Sequence, residues 1–216
     1  MMRFFHKKEV PVPTVQGLFL ILLAFGILFA GLGAGVYPFL AQNRPQAEAT
    51  LAIVEGWIDD ADLVAVVDRL PSGTVYIATG GPIEFGADLF RERTYAELTA
   101  VRLQKLGVKP RFILEAPAPG TSVDRTYISA LAVCDRLQEA GLFGQPANIY
   151  TVGSHGRRSY LLYRFAFGSD VPLGIVSLES SKSDLRHWWR SSMAFKNICT
   201  EVVSLSYTYC TWWKYD

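Results

Sequence analysis

The chain of 216 residues is poor in the side chains that most catalytic and metal chemistry uses. It has three histidines and three cysteines. Cys134, Cys199 and Cys210 form no C-x-x-C pair and no Cys/His cluster with zinc spacing, so no metal site is expected. Cys199 and Cys210 fall on one expected helix, too far apart to bridge. All three read as small buried hydrophobes. Formal net charge is only +1, which supplies no global field for nucleic acid, and no nucleic-acid partner is expected. Phosphate-loop and metalloprotease patterns (G-x-G-x-x-G, the Walker loop, H-E-x-x-H) are missing, so no cofactor is implied. No internal repeat or low-complexity tract is present.

A long apolar run stands out against these absences. "TVQGLFLILLAFGILFAGLGAGVYPFL", Thr14 to Leu40, carries no charge before Arg44 and exceeds the roughly 20 residues needed to cross a bilayer core. Arg3, Lys7 and Lys8 precede it, which by the positive-inside rule puts residues 1–13 in the cytoplasm and the remainder outside. In a bacterium that is an inner-membrane anchor with a periplasmic domain. A cleaved signal peptide would have a shorter apolar core, of about 7–15 residues, so residues 14–40 read as a retained transmembrane helix. Gly31 and Gly35 are four apart, as are Gly26, Ala30 and Ala34. Small residues at that spacing let a second membrane helix approach, either from a partner protein or from a second copy.

Residues 41–50, "AQNRPQAEAT", read as a short linker. From 51 to 216 short apolar strand candidates alternate with helical patterns. The strands are 51–56, 74–81, 111–117, 148–154 and 173–179. The helices are about 60–70, 88–106, 124–140, 156–167 and 184–212. Leu98, Val101, Leu103 and Leu106 give the second helix a stripe near helical spacing. Such alternation predicts an α/β domain, a Rossmann-like three-layer sandwich around a mostly parallel five-stranded sheet. Ligands of open α/β sheets bind outside the carboxyl ends of the strands, so the residues delivered there are the site candidates.

The first strand ends in Glu55, Gly56 and Trp57. A carboxylate at the tip of a buried strand is costly unless paired or functional. Asp59, Asp60 and Asp62 open the next helix and suit its dipole. The second strand ends in Gly80 and Gly81, which permit either a turn or close approach of a ligand to backbone. Arg93, Thr94, Tyr95 and Glu97 follow. The third strand delivers Glu115 and leads through a Pro-Gly loop to Asp124, an expected helix N-cap, and to Arg125 and Thr126. The fourth runs into "GSHGRRS", with Ser154, His155, Arg157 and Arg158. Arginines in a first helical turn oppose the helix dipole unless they bind something negative. They predict either an anion cradle or internal ion pairs to Glu55, Glu115 or Asp124. Ser154 and His155 are adjacent, and Val152 stands where a nucleophile elbow needs glycine, so a serine hydrolase is disfavoured. After the fifth strand, Arg186, His187, Trp188, Trp189 and Arg190 offer either ring stacking or a capped core. The C-terminal run adds Tyr207, Tyr209, Trp212, Trp213 and Tyr215, rings suited to a membrane interface or a protein contact.

Together the anchor, the "TGG" loop, the "SVDRTYISA" helix start and the Ser-His-Gly-Arg-Arg turn resemble the ElyC/SanA/YdcF family of bacterial envelope proteins. The family's fourth-strand motif has Thr-Ser, a spacer, His and Arg-Ala; here serine and histidine adjoin. Its acidic-Ser-x-x-Thr helix start is nearest to Asp124 and Thr126, and its first-strand glycine cluster is reduced to "EGW". The resemblance covers most of residues 50–200. It implies a Rossmann-like fold, a membrane-tethered and mostly periplasmic placement, and an association with cell-wall assembly and lipid carriers. It names no reaction. Two expectations follow. In one, an anionic, phosphate-bearing or lipid-linked ligand is held by Gly80, Gly81, Arg125, Ser154, Arg157 and Arg158, with Glu55, Asp124 and His155 as acid–base groups. In the other, the chain is a non-catalytic subunit of a larger membrane complex, docking through Gly26, Ala30, Gly31, Ala34, Gly35, Trp212 and Trp213.

Overall fold

A computed structural model describes residues 12–83 and 93–214, with no side chain described for Leu32 or Trp212. The basic residues Arg3, Lys7 and Lys8, the expected helical residues 88–92, and Tyr215 lie outside the described residues. The chain divides into two compact units, Met1–Gly35 and Val36–Asp216.

Helix α1 (Val15–Leu40) contains the apolar run. It is long and apolar enough to cross a membrane, with a mean hydropathy of 2.5. A Cβ added at Gly26, Gly31 or Gly35 would meet nothing within 4 Å, so the small-residue stripe is uncovered. Gly35 also ends the first unit. The expected span of 14–40 therefore includes residues that belong to the folded domain: Tyr37 and Leu40 are buried in its core.

The domain runs β1 (Leu51–Glu55), α2 (Asp60–Arg69), β2 (Val75–Gly80), α3 (Tyr95–Lys105), β3 (Ile113–Pro117), α4 (Arg125–Glu139), β4 (Ala147–Val152), α5 (Gly156–Phe167), β5 (Leu173–Leu178) and α6 (Ser192–Thr211). All five strands pair in parallel, in the order β3-β2-β1-β4-β5. The expected five-stranded α/β sheet is present, and all its pairings are parallel. Parallel sheets need both faces covered, and β1 shows how. Its five residues are all buried, and successive side chains take opposite faces. Leu51 and Ile53 join Ala130, Val133 and Leu137 of α4 and Tyr163 and Phe167 of α5. Ala52 and Val54 join Leu63 and Val66 of α2 and Ala100 and Leu103 of α3. A third cluster packs Ala194, Ile198 and Leu205 of α6 against Tyr37, Leu40 and Leu185.

Four local expectations change. The buried face of α3 is Ala96, Thr99, Ala100 and Leu103, whereas Leu98, Val101 and Leu106 are not buried; small residues let this helix sit close to the sheet. The last helix begins at Ser192, after a 3₁₀ turn at Trp188–Arg190. Cys134 is buried, but Cys199 and Cys210 are exposed on α6. Residues 41–50 are no free tether. Arg44 exchanges two backbone hydrogen bonds with Ile175 on edge strand β5, and Asn148 binds the backbone of Gln46 through both ends of its amide. The strap covers a strand edge that would otherwise stay open.

Two stability outcomes follow. Leu40 is fully buried, so Leu40→Ala should lower unfolding free energy by about 2–4 kcal/mol. Leu22→Ala, on the exposed part of α1, should leave the thermal midpoint in detergent unchanged. The hydroxyl of Tyr163 is buried without a hydrogen-bond partner among the described residues. Tyr163→Phe should therefore be neutral or stabilising by up to about 1 kcal/mol, and a clear loss of stability in the same assay would reveal a partner for that hydroxyl.

Candidate functional site

The strand order reverses between β1 and β4: the chain builds outward through β2 and β3, then returns to lay β4 on the other side of β1. At such a switch point the loops leave in opposite directions and open a crevice. Here the ends of the two strands open on a cleft of about 1160 Å³. Glu55, Gly80, Gly81, Asp124, Arg125, Ser154, His155 and Arg158 all line it. Arg157 does not. Its Nε donates to the Phe39 carbonyl at 2.5 Å, and its guanidinium lies 3.9 Å from the centre of the Phe39 ring. Arg157 therefore leaves the expected anion cradle and serves the end of α1. Glu115 is exposed on edge strand β3 and does not line the cleft.

Glu55 is 4 % exposed at the tip of the central strand. Its Oε1 accepts from Ser159 Oγ at 2.7 Å, and its Oε2 accepts from Thr151 Oγ1 at 2.6 Å and Trp57 Nε1 at 3.1 Å. Three donors on one carboxylate offset the cost of burying it. The same bonds tie β1 to β4 and α5 and hold the Trp57 indole over the cleft. That indole meets the His155 ring edge-on, with centroids 5.0 Å apart. Burial first, and then the Glu55 charge, push the pKa of nearby Tyr163 well above its ordinary value.

His155 and Arg158 are one turn apart at the start of α5, and both reach Glu201 on α6. His155 Nδ1 lies 2.8 Å from Glu201 Oε1. Arg158 donates from Nε to Oε2 at 3.0 Å and from Nη2 to Oε1 at 3.1 Å, a bidentate fork. A third guanidinium nitrogen, Nη1, is 3.4 Å from Thr126 Oγ1 at the start of α4. Nη2 lies 2.9 and 3.3 Å from the two His155 ring nitrogens, so it packs over the ring rather than along one lone pair. Burial acts to raise the Glu201 carboxyl, but His155 and Arg158 outweigh it and hold it at about 2. The internal partner of the fourth-strand arginine is thus Glu201, not Glu55, Glu115 or Asp124.

The remaining candidates have defined local roles. Asp124 is at the N-cap position of α4, but its side chain makes no cap hydrogen bond and its backbone is left-handed, with φ 51°. Aspartate adopts that region more readily than most residues, so the position is a turn into α4 and the expected capping bond is not made. Gly80 makes room for the Tyr95 side chain, since a Cβ there would lie 2.7 Å from Tyr95 Cβ. It serves helix packing as well as lining the cleft. Thr94 and Glu97 form a reciprocal capping box at α3. Lys182 pairs with Asp59, and Asp62 accepts from the Ser181 amide at 3.0 Å, which fixes the loop after β5. Arg186 pairs with Glu179 and His187 with Asp184, while Trp188 and Trp189 meet edge-on near the start of α6 and do not line the cleft. Among the described residues no hydrogen bond joins Ser154 to His155, whose Nδ1 is taken by Glu201. No three His, Cys, Asp or Glu side chains among them gather as a metal cage would need.

The sequence reading missed Glu201, although a signal was present. Ala194, Ile198, Glu201, Leu205 and Thr208 recur at helical spacing, so Glu201 occupies a place on the inward stripe of α6. A carboxylate on such a stripe requires a cationic partner. Lys196 and Tyr207 also line the cleft from α6.

Compared with protein-family models, curated proteins and solved structures, the chain gives no match.

The clamp has a pH signature. Glu201 titrates at about 2 in the fold against an ordinary 4.5, so its contribution is complete above about pH 4.5 and is lost as pH falls toward 2. Glu201→Gln should destabilise the protein by about 3 kcal/mol at neutral pH, because Arg158 is left partly buried without its counter-charge. Thermal unfolding of both proteins across pH should show the gap closing over that acidic window. A gap that stays constant down to pH 2 would rule the clamp out as its source.

Proposed function

We propose that this chain is a membrane-anchored protein whose domain binds or processes an anionic, phosphate-bearing or lipid-linked ligand of the cell envelope in the switch-point cleft. The observation that carries this reading is convergence: Glu55, Asp124, and the pair His155 and Arg158, drawn from three separate segments, open on one cleft. The cleft also takes Arg125, Lys182 and Lys196 and the first turn of α4, whose dipole favours a negative group. Its size suits a ligand larger than free phosphate, and its walls include Leu162, Val123, Met193 and Val203 beside the charged groups. The resemblance to the ElyC/SanA/YdcF family supports the same reading, including a cytoplasmic N-terminus and a periplasmic domain. In this arrangement Glu201 holds the place of a bound anion on Arg158, and a ligand phosphate either displaces it or binds beside it through Arg125 and Lys196.

A second reading, an accessory subunit of a membrane complex, is favoured by one observation: Glu201 already satisfies His155 and Arg158 without any ligand.

Calorimetry on the full chain in mild detergent separates the two. Titration with a short-chain polyprenyl diphosphate should give micromolar binding, with inorganic phosphate weaker. The double variant Arg158→Ala/Glu201→Ala, which leaves no buried charge unpaired, should lose at least tenfold in affinity, about 1.4 kcal/mol. A folded wild-type protein that binds neither ligand, and that co-purifies stoichiometrically with a large complex, would replace the first reading with the second.

A further inference from the structure

The inward side of α6 is accounted for by the core and the Glu201 clamp; its outward side is not. Phe195, Cys199, Val202, Ser206, Tyr209 and Trp213 follow at steps of four and three and form one stripe along the helix and its 3₁₀ end. The large members are left open: Phe195 is 51 %, Tyr209 50 % and Trp213 65 % exposed. Trp189, just before the helix, is 52 % exposed. The charges from Trp188 to Lys214 are Arg190, Lys196, Glu201 and Lys214. Glu201 is turned inward, so every exposed charge of this segment is positive. An apolar stripe bordered by cations and free of acids matches an interfacial amphipathic helix on an anionic lipid surface.

The entry of the chain into the domain points to the same occupant. The apolar run joins the domain at Val36, and its next residues, Tyr37 and Leu40, pack in one cluster with Ala194, Ile198 and Leu205 of α6. The element that receives the end of the apolar helix is therefore the element with the bare aromatic stripe. Phe39 is half exposed at the same entry, with the Arg157 guanidinium stacked on it, an aromatic–cation pair suited to headgroup level.

We propose that the outward face of α6 docks on the anionic bilayer surface beside the anchor. This rests on the reading that α1 spans a membrane. Lys196 and Tyr207 border the cleft from another side of the same helix, and no residue of the stripe lines it, so docking leaves the cleft uncovered by the bilayer.

The native cysteines supply the test. Cys199 lies on the stripe, and burial pushes the Cys134 thiol up to about 12, which keeps it unreactive. The full chain carrying Cys210→Ser is spin-labelled at Cys199 and reconstituted into phosphatidylglycerol-rich or pure phosphatidylcholine nanodiscs. Power saturation should show severalfold lower accessibility to a water-soluble nickel complex, and higher oxygen accessibility, in the anionic discs. Lys196→Glu/Lys214→Glu should reverse both. Equal nickel accessibility in the two lipids overturns the proposal, as does label–label dipolar broadening, which would mark a second copy as the occupant. Alkaline carbonate extraction of the same protein from native membranes checks the anchor separately: release would remove the spanning reading itself.

Discussion

The carboxylate of Glu201 joins two parts of the domain that share no sheet pairing. Helix α6 follows the last strand, and among the described residues side-chain contacts hold it over the strand ends. The bidentate bond to Arg158 and the contact with His155 fix it across the turn between β4 and α5. A partly buried ion pair gains little net stability over an apolar pair of the same shape, but it specifies position strongly, because either partner left alone is costly. Here the specified position matters: α6 forms one wall of the cleft. It also carries the surface that receives the end of the apolar helix.

Glu55 plays the matching part inside the sheet. Its three donors come from β4, α5 and the residues just after β1, so one carboxylate fixes the relative position of the segments that meet at the switch point. Trp57, held by that carboxylate, then lies edge-on to His155. The two acids thus act through one shared neighbour pair, Trp57 and His155. Together they tie down the segments that border the cleft. Ser154 is not set as a nucleophile: no hydrogen bond among the described residues joins it to His155, and the Arg158 guanidinium lies 3.3 Å from Nε2, the nitrogen that would serve as base.

Charge in the cleft is balanced more than biased. Arg158 is matched by Glu201, and Lys182 by Asp59. Under the proposed reading, an anionic ligand would have to replace or join Glu201 on Arg158, with Arg125 and Lys196 also lining the cleft.

Much of this was legible in one dimension. The alternation of short apolar strands with helical patterns determined a parallel, doubly covered sheet, because strands buried on both faces must be apolar at successive positions, as Leu51 to Val54 are. The strand ends picked out Glu55, Ser154, His155 and Arg158, because the chain direction of a parallel sheet brings all its carboxyl ends to one edge. The tertiary structure decided the partners. Arg157 and Arg158 look alike in sequence, yet one turns to Phe39 and the other into the cleft, because neighbouring positions on a helix point about 100° apart. Residues 41–50 look like a tether by composition, but the open edge of β5 draws Arg44 into a backbone bridge. Glu201, 46 residues from His155, meets it only when α6 folds back over the strand ends. Hydrophobic periodicity is local and survives in the sequence; the pairing of distant charges depends on which helix crosses which turn, and only the folded chain settles that.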